Sequence, residues 1–158
     1  MDAAVDTRTQ ILEVARELFV TRGFAATTTR ELADRLGFTK AALYYHFHTK
    51  DDLWAALAEP ILERMRALIA ATTVTDDPAA RAEFLATYID TMFDYRDLIQ
   101  VFHQDPSAKQ CKVTDEFVTV FEAMQRVLSG SDAPDTTARV RARASLAAVR
   151  GGLVNVSA

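Results

Sequence analysis

The sequence predicts an all-α protein, and three observations carry that expectation. Apolar residues recur at three- and four-residue spacing from Ile11 to Gly152, the period of a helix face, and no stretch shows the strict alternation of a half-buried strand. Cap-forming Thr and Asp residues precede these stripes, and Gly or Pro residues interrupt them at helical intervals. The 158 residues suffice for one or two small helical units, and 49% hydrophobic residues are enough to bury a core.

The first helix is expected to start at a capping box, Thr7 with Gln10, and to run to about Arg22. It turns Ile11, Leu12, Ala15, Leu18 and Phe19 inward, and Gly23 ends it. Thr28 with Glu31 has the spacing of a second capping box; Leu32, Ala33 and Leu36 share one face, and Gly37 supplies a left-handed stop. Thr39 can cap a third helix, 40–47, only two residues later, so the two helices must meet at a sharp angle, which is helix-turn-helix geometry. Thr49 caps a fourth helix, with Asp51 and Asp52 near its positive end. Pro60 should kink or divide that helix.

Asp76-Asp77-Pro78 is a helix start with proline in first position, and Phe84, Leu85, Tyr88, Ile89, Met92 and Phe93 form a wide stripe on the fifth helix. A short sixth helix over 95–104 closes at Asp105-Pro106, followed by a polar connector over 107–112. The seventh carries Val113, Phe117, Val120, Phe121, Met124, Val127 and Leu128. After a loop at 129–132, Pro134-Asp135 opens an eighth helix whose pattern includes Val140, Ala144, Ala147, Ala148, Gly151 and Gly152.

The third helix has the most informative composition. Leu43 and Phe47 share its inner face, four residues apart. Lys40, Ala41, Ala42, Tyr44, Tyr45 and His46 fall largely outside, and no acid occurs between Asp34 and Asp51. Such a face suits a polyanion: lysine for phosphate charge, tyrosyl hydroxyls for phosphate oxygens or base edges, alanines for close approach and thymine methyls. Part of Tyr44 or Tyr45 is also expected to pack. Lys50 is a cation in the first turn of a helix, against the dipole preference, which points to an anion outside such as a DNA phosphate.

Residues 7 to 57 resemble the N-terminal DNA-binding domain of the TetR family of transcriptional regulators. The resemblance rests on Ile11, Ala15, Leu18 and Phe19, then Gly23-Phe24, Thr28-Thr29-Arg30, Leu32-Ala33 and Leu36-Gly37, and above all on Leu43-Tyr44-Tyr45-His46-Phe47 with Lys50 and Leu53. It implies a DNA-binding domain over 1–53 and a helical effector-binding and dimerisation domain over 54–158. It implies DNA contacts at Thr29, Arg30, Lys40, Ala41, Ala42, Tyr44, Tyr45, His46 and Lys50. The expected function is that of a ligand-responsive repressor reading a palindromic operator as a homodimer. The alternative is a small-molecule-binding or oligomerisation protein that keeps the helix-turn-helix only as scaffold.

Large aromatic and flexible methionine side chains gather on the fifth and seventh helices, as in mostly apolar ligand pockets. Most of them are ordinary core. Phe84, Tyr88, Met92, Phe102, His103, Phe117, Phe121 and Met124 are the expected effector contacts, with Tyr88 and His103 as polar handles and an apolar or aromatic effector. The small residues Ala144, Ala148, Gly151 and Gly152 make the eighth helix the expected seam of the dimer. The family usually adds one more helix there, so the chain is expected to be truncated at its C-terminus.

The net charge of −4 is unevenly spread. Residues 1–50 hold seven basic and six acidic side chains, hence +1, and residues 51–158 hold eleven and sixteen, hence −5. Local contacts, not net charge, set affinity for a polyanion. The single Cys111, with no signal-peptide pattern and no apolar run of membrane-spanning length, fits a reducing cytoplasm. Lys109 and Lys112 are close enough in sequence to lower the Cys111 pKa, but a plain surface or half-buried thiol is the default expectation. No nucleotide-binding glycine motif, nucleophile elbow or metal-ligand spacing is present, so neither an enzyme nor a cofactor is expected.

Overall fold

Eight α-helices and no strand occur among the residues that the computed structural model describes, 3–74, 77–131 and 133–156, with side chains described for 7–74, 77–131 and 133–152. They are α1 (Ala3–Arg22), α2 (Thr29–Leu36), α3 (Lys40–His46), α4 (Lys50–Ala71), α5 (Pro78–Asp94), α6 (Arg96–Gln104), α7 (Val113–Ser129) and α8 (Thr136–Val156), with a single 3-10 turn at Ala108–Gln110. Asp76 and Asp132, from the expected helix start and loop, and the last two residues, 157 and 158, lie outside the described residues.

Most of the cap chemistry read from the sequence is formed. The Thr28 hydroxyl accepts the Glu31 N–H at 3.2 Å, Gly37 stands at φ 68°, and the Thr39 hydroxyl accepts the Ala42 N–H at 3.1 Å. Each such cap contributes about 1 kcal/mol. Thr49 and Asp52 close a reciprocal box, 3.0 Å one way and 2.8 Å the other. At Thr28 the box stays half made, because the Glu31 carboxylate pairs with Arg22 instead.

Two expectations are corrected. α1 begins at Ala3, so Thr7 lies inside the helix and does not cap it; the residues before Thr7 include alanines, which favour helix and let it run past the local signal. Pro60 does not divide α4, which runs unbroken through it. The ring is on the exposed side, while Leu57, Ala58, Ile61, Leu62 and Met65 around it are buried and hold the helix through the lost backbone bond.

Contacts divide the chain into two compact units, and the division in α4 falls between Glu59 and Pro60. The first unit takes the residues up to Glu59 together with Asp97–Thr114. Its core holds Ile11, Leu18, Phe19, Leu32, Leu43, Phe47, Leu53 and Trp54. The rings of Phe19, Phe24 and Trp54 meet at centroid distances of 5.1 to 5.9 Å. The second unit takes Pro60–Arg96 and the residues from Asp115 onward, around Leu62, Phe84, Tyr88, Met92, Met124 and Leu146.

Within the first unit, α6 is tied to α1 by a two-pronged ion pair, Arg16 Nε and Nη2 to the Asp97 carboxylate at 2.8 and 2.9 Å. Burial alone would raise the Asp97 pKa, but hydrogen bonds from Arg16 and from the Leu98 N–H, with the Arg16 charge, leave it lowered. A carboxylate depressed in the folded state stabilises above its unfolded pKa, and loses that contribution as pH falls through the folded value. Asp97→Asn is therefore expected to cost about 1 kcal/mol near neutral pH, a value appropriate to a half-exposed pair, and nothing once the pH is well below the normal carboxylate range. Urea denaturation of parent and variant at both pH values checks this; an equal loss at both would show that packing, not charge, is involved.

Candidate nucleic-acid interface

The helix-turn-helix is built from its inner face outward. Leu43 is 1% exposed and Phe47 5%, so α3 is anchored by two side chains that each contribute about 1.5–3 kcal/mol on burial. The anchors fix the opposite face toward solvent. Lys40, Ala41, Ala42 and Tyr45 are exposed, Tyr45 at 82%, while Tyr44 and His46 are half-buried. The Lys40 ammonium stands 5.3 Å from the Tyr44 ring, and Tyr45 meets His46 edge-on at 5.3 Å. These contacts give the four side chains defined directions, the Lys40 ammonium lying against the Tyr44 ring. Of the remaining predicted positions, Thr29 is half-buried in the first turn of α2 and Arg30 is exposed, with only a loose 3.9 Å approach to Asp34.

Lys50 departs from its expected place. Its ammonium donates to the carbonyls of Phe24 at 2.7 Å, Thr27 at 3.1 Å and, more weakly, Ala25 at 3.4 Å, and lies 4.3 Å over the Phe24 ring. A cation at the start of α4 is thus explained by carbonyls of the turn between α1 and α2. Asp105, just past the end of α6, secures the same turn, accepting the Ala25 N–H at 2.6 Å. Burial would raise its pKa, but N–H donors from Ala25, Ser107 and Ala108 and the Lys50 charge outweigh burial and leave it lowered. Gly23, at φ 89°, supplies the left-handed backbone with which the chain leaves α1 and enters this turn.

Sequence reasoning missed Arg8, whose guanidinium lies 5.0 Å over the Phe47 ring at the C-terminal end of α3. Its signal was available only as an exposed cation on the first helix. Cys111 is an unactivated thiol, as the default expectation had it, and is more buried than expected, with no lowering by Lys109 or Lys112. The thiol is buried, donates to the Ser107 carbonyl at 3.5 Å, and has a pKa pushed up to about 12 by burial and then by Asp51.

The eight residues expected to contact an effector fall in both units. Phe102 and His103 belong to the first, where His103 Nδ1 donates to the Ile99 carbonyl at 2.9 Å. The other six belong to the second: Phe84, Tyr88, Met92 and Met124 are buried, and Phe117 and Phe121 are half-buried. The structure brings Tyr88 and Phe121 edge to face at 6.3 Å. An open cleft of about 790 Å³ lies between α4 and α5 in the same unit, but of the eight only Phe84 lines it, beside Arg64, Glu83, Thr87, Asp90 and Thr91. On α8, Val140, Ala144, Ala147, Ala148, Gly151 and Gly152 are all exposed. No helix among the described residues is long and apolar enough to cross a membrane.

The paired caps, the tight α2–α3 turn and the exposed third helix define a helix-turn-helix protein. Residues 11–57 match the family of bacterial regulatory proteins described as tetR. The HTH-type transcriptional regulator TtgR of Pseudomonas putida is 35% identical over 104 residues, which are 65% of this chain and 44% of TtgR. A probable HTH-type transcriptional regulator of the same species, ArpR, is 30% identical over 78% of this chain and 60% of its own length. The chain thus spans about half the length of these curated relatives. A solved TetR/AcrR-family regulator from Thermobifida fusca aligns over 94% of this chain and 84% of its own, with 29% identity and a TM-score of 0.60. NalD of Pseudomonas aeruginosa, the secondary repressor of the MexAB-OprM multidrug efflux pump, shares the fold at a TM-score of 0.77 and 19% identity, over 98% and 85% of the two chains. Through residues 11–57 the chain carries the DNA-binding domain of the TetR family.

Proposed function

We propose that the protein is a DNA-binding transcriptional regulator that acts as a ligand-responsive repressor, binding a palindromic operator as a homodimer. Residues 1–53 are its reading head and 54–158 carry effector binding and dimerisation. The observation that carries the reading is the outer face of α3: acid-free, exposed, and held rigid by Leu43, Phe47 and the Thr39 cap. Tyr45 and Lys40 reach base edges or phosphates in the major groove, with Tyr44, His46, Ala41 and Ala42 around them. Thr29 and Arg30 contact the backbone. The TetR-family DNA-binding domain and the names of TtgR and NalD support regulation of transcription. The exposed small-residue face of α8 supports a two-fold seam, and the aromatic and methionine side chains of α5 and α7 support an effector site in the second unit.

A gel shift with the DNA flanking the protein's own gene tests the reading. Tyr45→Ala is expected to weaken operator binding about 10-fold per half-site, since a good base-edge contact is worth about 1–3 kcal/mol, and to flatten the preference for operator over unrelated DNA. If the variant binds and discriminates as the parent does, α3 does not read sequence through Tyr45. If the parent shifts no DNA at all, the helix-turn-helix is scaffold only.

A further inference from the structure

Two polar atoms of the second unit are buried without a hydrogen-bond partner, and both belong to one cluster. The Tyr88 hydroxyl on α5 is one, on a side chain that is 0% exposed. Nε of Arg150 on α8 is the other. The Arg150 guanidinium lies 4.4 Å over the ring of Phe121 on α7, and that ring meets Tyr88 edge-on at 6.3 Å. Three helices therefore converge on one spot that carries two unused donors. Burial holds the Tyr88 phenol firmly protonated, and the opposing pull of Arg150 on it shows that the two groups feel each other. Among the described residues no carboxylate pairs with Arg150.

Leaving a buried donor unpaired is costly, more so on a charged group, and folded proteins retain such groups where a water, an ion, a ligand or a functional role accounts for them. The chemistry specifies what is missing. A guanidinium has donors and no acceptor, and the protonated Tyr88 phenol supplies the second unused donor. An acceptor that carries negative charge satisfies both donors and at once neutralises the half-buried cation. The Phe121 ring offers an apolar surface next to that point, and the buried Met92 and Met124 belong to the same unit.

We propose that Tyr88 and Arg150 form the head-group subsite of the effector site, and that the effector is an organic anion: a carboxylate or phenolate on an aromatic or aliphatic body. This rests on the reading that a ligand binds among α5, α7 and α8, and it adds an anionic head group to the apolar or aromatic effector expected from the sequence.

Calorimetric titration of the full chain with benzoate, cinnamate, 2-naphthoate and decanoate, each against its primary amide, tests the subsite. At least one acid is expected to bind, with its amide at least 10-fold weaker. Arg150→Gln is expected to erase that preference. Tyr88→Phe is expected to weaken the acid while raising the Tm of the unliganded protein, because the hydroxyl removed has no partner to lose; this variant separates a subsite defect from a folding defect. The proposal is overturned if no acid binds, if acids and amides bind alike, or if Arg150→Gln keeps the preference. A parallel gel shift keeps the two readings apart. A chain that binds operator without preferring acids loses only the anion subsite, and one that prefers acids but binds no DNA loses only the regulator.

Discussion

Lys50→Ala is expected to destabilise the first unit by about 2–3 kcal/mol, the usual worth of hydrogen bonds to a charged group, and to lose operator binding as a consequence. Three carbonyls of the α1–α2 turn converge on the Lys50 ammonium, and the Phe24 ring lies beneath it. Without the ammonium, those carbonyls lose their donor and the turn that leads into α2 loosens. A phosphate-contacting lysine behaves otherwise: its removal leaves the melting temperature alone and lowers affinity in a salt-dependent way. Arginine sharpens the distinction. Its planar fork cannot reproduce a point charge donating to three carbonyls, so Lys50→Arg should also melt early, whereas a phosphate contact would tolerate it. Thermal melts of both variants beside gel shifts at two salt concentrations decide between the roles.

On the proposed two-fold seam at α8, Ala148→Arg is expected to separate the dimer and lower affinity for the proposed operator at least 100-fold, while leaving the monomer folded. One recognition helix reaches only a few base pairs; a two-fold dimer doubles the contact and fixes half-site centres about 34–36 Å apart or at multiples of that spacing. Ala148 is exposed within the single chain, and the positions of new Cβ atoms at Gly151 and Gly152 meet nothing within 4 Å. A long side chain at Ala148 therefore has room in the monomer and none in a close helix seam. Sedimentation and thermal melting of the variant check both halves. A variant that still sediments as a dimer would move the seam away from α8.

The head was legible in the sequence wherever its determinants are local. Thr28, Gly37 and Thr39 each act on backbone groups within five residues, so α2 and α3 could be placed almost to the residue. The outward side chains of α3 followed from the four-residue spacing of Leu43 and Phe47. Legibility failed where partners are distant along the chain. Lys50 carried a correct signal, a cation lacking a reason, but its carbonyls lie 23 to 26 residues earlier and an outside phosphate was the only partner in view. Arg16 and Asp97 are 81 residues apart, and neither has a local feature that announces the other. Tyr88 was expected as a polar handle of an effector site, but nothing near it in the chain announced Arg150, because periodicity assigns faces and says nothing of which face meets which.

The membership of Asp97–Thr114 in the first unit has a consequence for synthesis on the ribosome. When Glu59 has been made, the partners that α1 and its following turn find in Asp97 and Asp105 do not yet exist. Some 55 further residues must be joined first, roughly 3–11 s at about 5–20 residues per second. During that interval the nascent head has its recognition helix but not its full set of restraints. Completion of the first unit is thus set by translation of the middle of the message, and a slow codon cluster between residues 60 and 114 would lengthen the exposure of an unfinished unit to proteases and chaperones.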